Sequence, residues 1–505
     1  MMIKGNDPGN IRNGSTLATD EFAGMHFDYM LSNPPYGKSW AGELRYIKDG
    51  KEVIDPRFKV KLKDYWGKEE EVDATPRSSD GQLLFLMEMV DKMKPLAISP
   101  AGSRIASVHN GSSLFTGDAG GGESNIRRYL IENDLLEAIL QMPNNLFYNT
   151  GITTYIWLLS NHKAPHRRGM VQLIDASQLY RKLRKNLGQK NCEFAPEHIT
   201  EILAAYRDMA AIEREGEEGI ASQVFDNSDF GYYKVTIERP SRLKAQFIPE
   251  RIAELRFDSR LREPMAWMWE NFGEKVYTEL AGLKKQVEEW CDQQELNLSK
   301  KQLKALMDLK KWKERRELLQ TATQLMKAIG QDEHNDFNRF AEEVNQELKA
   351  QGVKLSASEK KTLLQAVSWY DETAEKVVRR IHKLKGDKLN QLLHHLGCTE
   401  AELPDFGYYP GAKPGEYIEY ETESALRDYE NVPLKDDIHA YFRREVHPHV
   451  PEAWINLDNT KIGYEISFNK YFYRHQPLRS LEEVSRDILK LEEESEGLIR
   501  EILEM

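Results

Sequence analysis

Asn33-Pro34-Pro35-Tyr36 stands directly after the apolar run Tyr29-Met30-Leu31, and its residue types suit one kind of chemistry. An exocyclic amine on a nucleobase is a poor nucleophile, because its lone pair is delocalised into the ring. Two acceptors aimed at the N–H hydrogens draw that amine toward sp³ geometry. The Asn33 side-chain oxygen is one candidate acceptor and the Pro34 carbonyl is the other. Proline has no N–H and fixes φ, so Pro34-Pro35 keeps the loop rigid. Tyr36 supplies a ring on which a base that has left its duplex can stack. An ordinary Pro-Pro turn uses the same letters. The preceding Asp28-Tyr29-Met30-Leu31-Ser32, which reads as a strand end, favours the chemical reading.

Other motifs fail on spacing or on partners. Gly37-Lys38-Ser39 resembles the end of a P-loop, but that pattern requires a glycine where Ser32 stands. Gly117-Asp118-Ala119-Gly120-Gly121-Gly122 precedes a helix and could hold an anion, yet a plain loop ending at a helix cap accounts for it better. His447-Pro448-His449 and His394-His395 lack the acidic or cysteine neighbours of a metal site. Arg57, Lys59, Lys61 and Lys63, beside Phe58, Tyr65 and Trp66, could touch phosphates; a solvated edge strand is an equal reading.

The elements that must position Asn33 to Tyr36 read as α/β. Residues Gly81 to Met93 carry apolar side chains at helical spacing, and Ile105 to Val108, Leu135 to Leu140 and Thr153 to Leu159 read as strands. Ser124 is the expected N-cap of a helix running to Leu130. Strands alternating with helices point to a mainly parallel sheet covered on both faces. From about Met265 to Leu396 the chain is rich in Lys, Glu, Leu and Gln and nearly free of proline, which predicts a helical domain or insertion. Within it Leu363, Val367, Tyr370, Ala374, Val377 and Ile381 are spaced as one helix, headed by a Ser356/Glu359 capping box. Residues 404–480 read as extended loops. Leu481, Val484, Ile488, Leu491, Ser495, Leu498 and Ile502 then form a heptad seam suited to a partner helix or to the chain's own core. Three segments follow: 1–250, 251–400 and 401–505.

The chain has 505 residues, of which 40% are hydrophobic, with a net charge of -12 and three cysteines. At about 150 residues per domain this is roughly three domains. The charge argues against a protein that coats nucleic acid by electrostatics alone. Cys192, Cys291 and Cys398 form no CxxC pair, which argues against a disulfide framework or structural zinc. No stretch approaches the roughly 18 to 20 apolar residues of a membrane span. No basic segment followed by an apolar one marks a secretion signal, so the expected location is the cytoplasm.

Several segments in order resemble one family, the modification subunit of type I restriction-modification systems, an adenine-N6 DNA methyltransferase of the NPPY class. They are Phe27 to Gly37, Ser79-Asp80-Gly81-Gln82-Leu83-Leu84-Phe85-Leu86, His109 to Gly117, Pro143 to Ile152, Phe230 to Tyr233 with Val235 to Pro240, and Gly463 to Asn469. The resemblance implies a Rossmann-like methyltransferase sheet followed by a largely helical C-terminal half. It implies catalysis by Asn33, Pro34, Pro35 and Tyr36, and a target-base pocket of Tyr36, Phe147 and Tyr148. Its cofactor would be S-adenosyl-L-methionine. Its partners would be DNA carrying the target adenine, a specificity subunit, a restriction subunit and a second modification subunit, with no membrane. The family's Gly-rich cofactor loop should precede the NPPY segment, but only 32 residues precede Asn33. Of the cofactor half, Arg12 to Leu17 alone resembles a lining segment, with Ser15 where an acidic residue is often found. The resemblance thus implies a sheet lacking its N-terminal part, and a chain expected to be inactive alone for want of the main cofactor motif. Two other readings remain: a fragment that keeps only assembly contacts, and a methyltransferase of the same class acting on protein or RNA. The matches at Asn110-Gly111-Ser112 and Phe147 to Gly151 argue against the last.

Overall fold

The computed structural model describes residues 8–214, 219–472, 480–482 and 484–491. The chain packs as two compact units. The first comprises Met1–Tyr233, Pro433–Lys435 and Lys461–Met505, and the second Lys234–Val432 and Asp436–Thr460.

The first unit is built on a six-stranded sheet. Its elements in chain order begin with β1 (Tyr29–Ser32), the outlying hairpin β2 (Lys59–Lys63) and β3 (Glu69–Asp73), and helix α1 (Gln82–Asp91). Then come β4 (Arg104–Asn110), α2 (Gly122–Glu132), β5 (Leu136–Gln141), β6 (Thr154–Ser160) and β7 (Met170–Gln178). The hairpin β8 (Arg181–Leu187) and β9 (Lys190–Glu193), helix α3 (Pro196–Asp208) and β10 (Gly219–Asp226) complete it. The sheet order is β1-β4-β6-β5-β7-β10. β1 pairs parallel to β4 and β5 parallel to β7, whereas β6 runs antiparallel to both neighbours and β10 antiparallel to β7. Four of the six strands run the same way, as expected of a mainly parallel sheet; β6, which returns between β4 and β5, and the edge strand β10 are antiparallel.

Burial follows sequence. β5 is a nearly continuous apolar run and is buried along almost its whole length, as a strand covered on both faces must be. Leu84 and Leu86 of α1, Ile126, Leu130 and Ile131 of α2, and Ile139 and Trp157 of the sheet form the centre of its core. Helix α2 starts at Gly122 with Gly121 as its cap, so the expected cap at Ser124 is corrected; the Ser124 hydroxyl instead accepts the Tyr464 N–H at 3.0 Å. Glycine is required at 122, because a Cβ there would lie 1.7 Å from the Thr75 carbonyl oxygen.

The second unit is mostly helical between Arg262 and Ala366, with Leu309–Ile329 its longest helix. The Ser356 capping box is present, but its helix stops at Ala366. Ser368–Tyr370 and Val378–Lys383 are strands, paired with Leu243–Ala245 and Glu416–Tyr420. The helical reading through Ile381 is thereby corrected. The β-branched and aromatic content of Val367-Ser368-Trp369-Tyr370 and Val377-Val378 favours strand pairing over helix continuation. Residues 404–480 are also less loop-like than their composition suggests, since Trp454–Tyr464 is a long strand. Of the C-terminal seam, Leu481, Val484, Ile488 and Leu491 are exposed, while Ser495, Leu498 and Ile502 lie outside the described residues.

Candidate functional site

β1, β4, β5 and β7 all run the same way, so their C-terminal ends open on one side of the sheet. Ligands of α/β sheets bind at that end. Asn33 to Tyr36 leaves β1 there. Asn110-Gly111-Ser112 leaves β4, residues 142–153 leave β5, and the β8–β9 hairpin follows β7. At about 4.8 Å between neighbouring strands, the ends of β1 and β5 are roughly 14 Å apart.

The loop after β1 is open on its working side and clamped behind. Asn33 is exposed, Pro34 is buried and Tyr36 is half-buried. The Tyr36 hydroxyl donates to Asn33 Oδ1 at 2.5 Å. Burial raises the Tyr36 phenol above its ordinary pKa, which keeps it a donor. Among the described residues no group donates to the Pro34 carbonyl. The clamp comes from the start of α1. The Gly37 N–H donates to Asp80 Oδ1 at 3.3 Å, Gly81 N–H to the Lys38 carbonyl at 3.1 Å, and the Trp40 indole to the Arg77 carbonyl at 3.0 Å.

Gln82 joins this clamp to the end of β4. Its amide nitrogen donates to Asp80 Oδ2 and Asn110 Oδ1, both at 2.7 Å, and to the Ser112 hydroxyl at 2.9 Å. Its oxygen accepts the Asn110 N–H at 3.1 Å and faces His109 Nδ1 at 3.2 Å. His109 is fully buried, and burial depresses its pKa to about 3. The ring is therefore neutral, with the proton on Nδ1 donated to Gln82, which fixes the amide's orientation. Asp80, Gln82, His109 and Ser112 fall in motif segments visible in the sequence, but no role for them was legible there. A polar cluster assembled from two distant turns carries no local spacing signal.

The base-wall candidates divide. Phe147 is half-buried and packs against the cluster that includes Leu140, Met142 and Ile174. Tyr148 is 59% exposed beside it. Neither makes a hydrogen bond or ring contact with Tyr36 among the described residues; the two segments share the same end of the sheet, three strands apart. Ser15 lies on the segment before β1, and its hydroxyl donates to Glu43 at 3.3 Å. The described residues of that segment hold one 3-10 turn, Pro8–Asn10, and neither a strand nor a glycine loop leading into a helix. They do not form a cradle for S-adenosylmethionine.

The basic residues of β2 face carboxylates across their hairpin. Lys59, Lys61 and Lys63 stand opposite Asp73, Glu71 and Glu69 on β3. Arg57 is buried and ion-paired to Asp55 and Glu88, each at 2.6 Å.

Residues 1–239 match the family model described as N-6 DNA Methylase. The chain is 27% identical over 207 residues to the type I restriction enzyme MjaIX methylase subunit of Methanocaldococcus jannaschii, which covers 41% of this chain and 32% of that protein. It is 28% identical over 194 residues to the MpnII methylase subunit of Mycoplasma pneumoniae, covering 36% of this chain and 31% of that one. The matched stretches thus span about a third of these relatives' lengths. A solved methyltransferase subunit of a type I restriction-modification system from Streptococcus thermophilus aligns at 24% identity with a TM-score of 0.34, covering 45% of this chain and 41% of that one.

Proposed function

We propose that this chain, whose residues 1–239 match the N-6 DNA methylase family, carries the target-amine half of a type I modification subunit. The reaction is methylation of adenine N6 in DNA, with S-adenosylmethionine as the methyl donor. The observation supporting this most is the Asn33 to Tyr36 loop, exposed at the C-terminal end of β1 and held from behind by Asp80 and residues 77–81. In this reading the flipped adenine lies against Tyr36. Asn33 Oδ1 and the Pro34 carbonyl accept the two amine hydrogens. Until the base arrives, the Tyr36 hydroxyl occupies Asn33 Oδ1 and keeps the acceptor in place. Asp80 and Gln82 are positioning residues, holding the loop so that little is reorganised during reaction.

The net charge of -12 fits a chain whose DNA sequence is read elsewhere, by a specificity subunit, in an assembly with a second modification subunit and a restriction subunit. One observation favours a second reading, a chain that keeps assembly contacts and transfers no methyl group. Among the described residues β1 is an edge of the sheet, with Tyr29 and Leu31 77% and 85% exposed and open to a partner.

Calorimetric titration of S-adenosylmethionine separates the two. It is run on the chain alone and with a polypeptide carrying the family's Gly-rich half. Binding in either mixture supports the methyltransferase. Absence of binding in both supports the assembly reading.

A further inference from the structure

The β8–β9 hairpin has a charge balance opposite to that of the chain. Between Tyr180 and Glu193 it holds five lysines and arginines and one carboxylate, in a protein of net charge -12. Two of the cations are engaged. Arg181 pairs with Glu193 at 2.6 Å, and the Lys190 ammonium donates to the Leu146 and Cys192 carbonyls at 2.9 and 2.8 Å. Lys182, Arg184 and Lys185 are exposed, and among the described residues no carboxylate pairs with them. The β2–β3 hairpin of the same unit is the internal comparison. There each of the three strand lysines faces a carboxylate across the ladder. Cross-strand carboxylates match the lysines of β2, whereas Lys182 of β8 stands opposite Cys192.

Position gives the charge a target. The hairpin leaves β7 on the same side of the sheet as Asn33, about 19 Å along it by strand spacing. It is also fastened to the segment that holds Phe147 and Tyr148. The Gln189 N–H donates to the Tyr148 carbonyl at 2.9 Å, and the Asn191 N–H to the Asn145 carbonyl at 3.1 Å. Gly188, at φ +65°, lets the turn approach so closely that a Cβ would lie 2.6 Å from the Tyr148 carbonyl oxygen. Between hairpin and segment lies a recess of about 460 Å³, lined by Gln141, Asn144, Asn145, Gln178 and Lys182 among others. Amide side chains and a lysine are the groups that bind phosphate and sugar oxygens without reading sequence.

We propose that the β8–β9 hairpin is a backbone-gripping finger, in which Lys182, Arg184 and Lys185 bind DNA phosphates beside the flipped adenine. This rests on the reading of the chain as a DNA methyltransferase subunit. Such contacts are independent of sequence and release counterions, so the test is salt dependence. Binding of a mixed-sequence 30-base-pair duplex to the full chain is measured by fluorescence anisotropy from 50 to 200 mM salt. The variant is Lys182→Gln/Arg184→Gln/Lys185→Gln, all at exposed positions. The control is Lys59→Gln/Lys61→Gln/Lys63→Gln.

Each phosphate contact contributes about 0.9 to the slope of log K against log salt. The hairpin variant should therefore lower the slope by about 2 to 3, equivalent to roughly 15- to 60-fold less loss of affinity over that range. The control should leave the slope unchanged. An unchanged slope in the hairpin variant, with wild-type chain binding the duplex, overturns the finger and leaves the methyltransferase reading standing. Equal falls in both variants overturn it too, by showing an effect of net charge alone. Failure of the wild-type chain to bind duplex at 50 mM salt overturns the finger, and the calorimetric titration then decides the methyltransferase reading independently. If the hairpin variant keeps its DNA slope but loses a co-purifying protein, the hairpin is a protein-docking element and the proposal falls.

Discussion

His109 should make the first unit lose stability on mild acidification, before its carboxylates titrate. The ring is completely buried under Trp157, its Nδ1 faces Gln82, and burial lowers its pKa from 6.5 to about 3. In the unfolded chain the same imidazole protonates at its ordinary value. Below that value the unfolded state binds a proton that the folded state refuses. Stability is therefore full above about pH 6.5, falls by about 1.4 kcal/mol per pH unit beneath it, and levels off near pH 3. Between pH 7 and pH 5 the loss is about 2 kcal/mol. The perturbation is His109→Gln, which retains a donor for the Gln82 oxygen but cannot titrate. Urea unfolding followed by tryptophan fluorescence at pH 5, 6 and 7, on wild type and variant, isolates the histidine term from all others. The wild type should lose about 2 kcal/mol more than the variant over that range. Parallel curves for the two proteins would refute the buried neutral histidine and the fixed orientation of Gln82 argued from it.

Three further outcomes follow from the same geometry. Asp80→Ala removes acceptors for Gly37, Gln82 and Ser112. It should cost about 1 to 3 kcal/mol and speed amide exchange at Gly37, read by hydrogen–deuterium exchange. Arg127 is buried and donates to the Tyr464, Ser113 and Thr116 carbonyls, with burial lowering its pKa to about 10. Arg127→Met should cost about 3 to 5 kcal/mol, seen as a lowered thermal midpoint, because three carbonyls lose their donors. Tyr36→Phe keeps the stacking ring and frees Asn33 Oδ1, so methylation of an adenine-containing duplex should stay within a few-fold of wild type. Tyr36→Ala removes stacking of about 1 to 3 kcal/mol and should lower the rate roughly 5- to 150-fold.

The sequence exposed those parts of the molecule whose signals are local. Asn33 to Tyr36 needs only a strand end and two prolines, and helix α1 shows its apolar spacing from Leu83 to Met87. The S-x-x-E box at Ser356 placed a helix start for the same reason. Non-local pairing was not legible. Thr154–Ser160 reads as a strand in any direction, and only its partners make it antiparallel. Helical spacing continued past Ala366 because residues three or four apart also recur by chance in paired strands. The lysines of β2 looked available for phosphate until β3 placed a carboxylate opposite each. Those of β8 lie in a stretch of mixed composition, and only the fold places them beside the base-wall segment. The clamp of Asp80, Gln82, His109 and Ser112 joins turns about 30 residues apart, a distance at which residue type alone gives no pairing rule.

The most direct test of the account measures N6-methyladenine by mass spectrometry. DNA is incubated with S-adenosylmethionine and the chain, with its complementing polypeptides added, as wild type and as Asn33→Ala. The account predicts N6-methyladenine with wild type and a loss of roughly 100- to 1,000-fold with Asn33→Ala, since one preorganised acceptor at the reacting amine is removed. Equal methylation by the two proteins would contradict it, as would S-adenosylmethionine binding with no N6-methyladenine formed by the wild type.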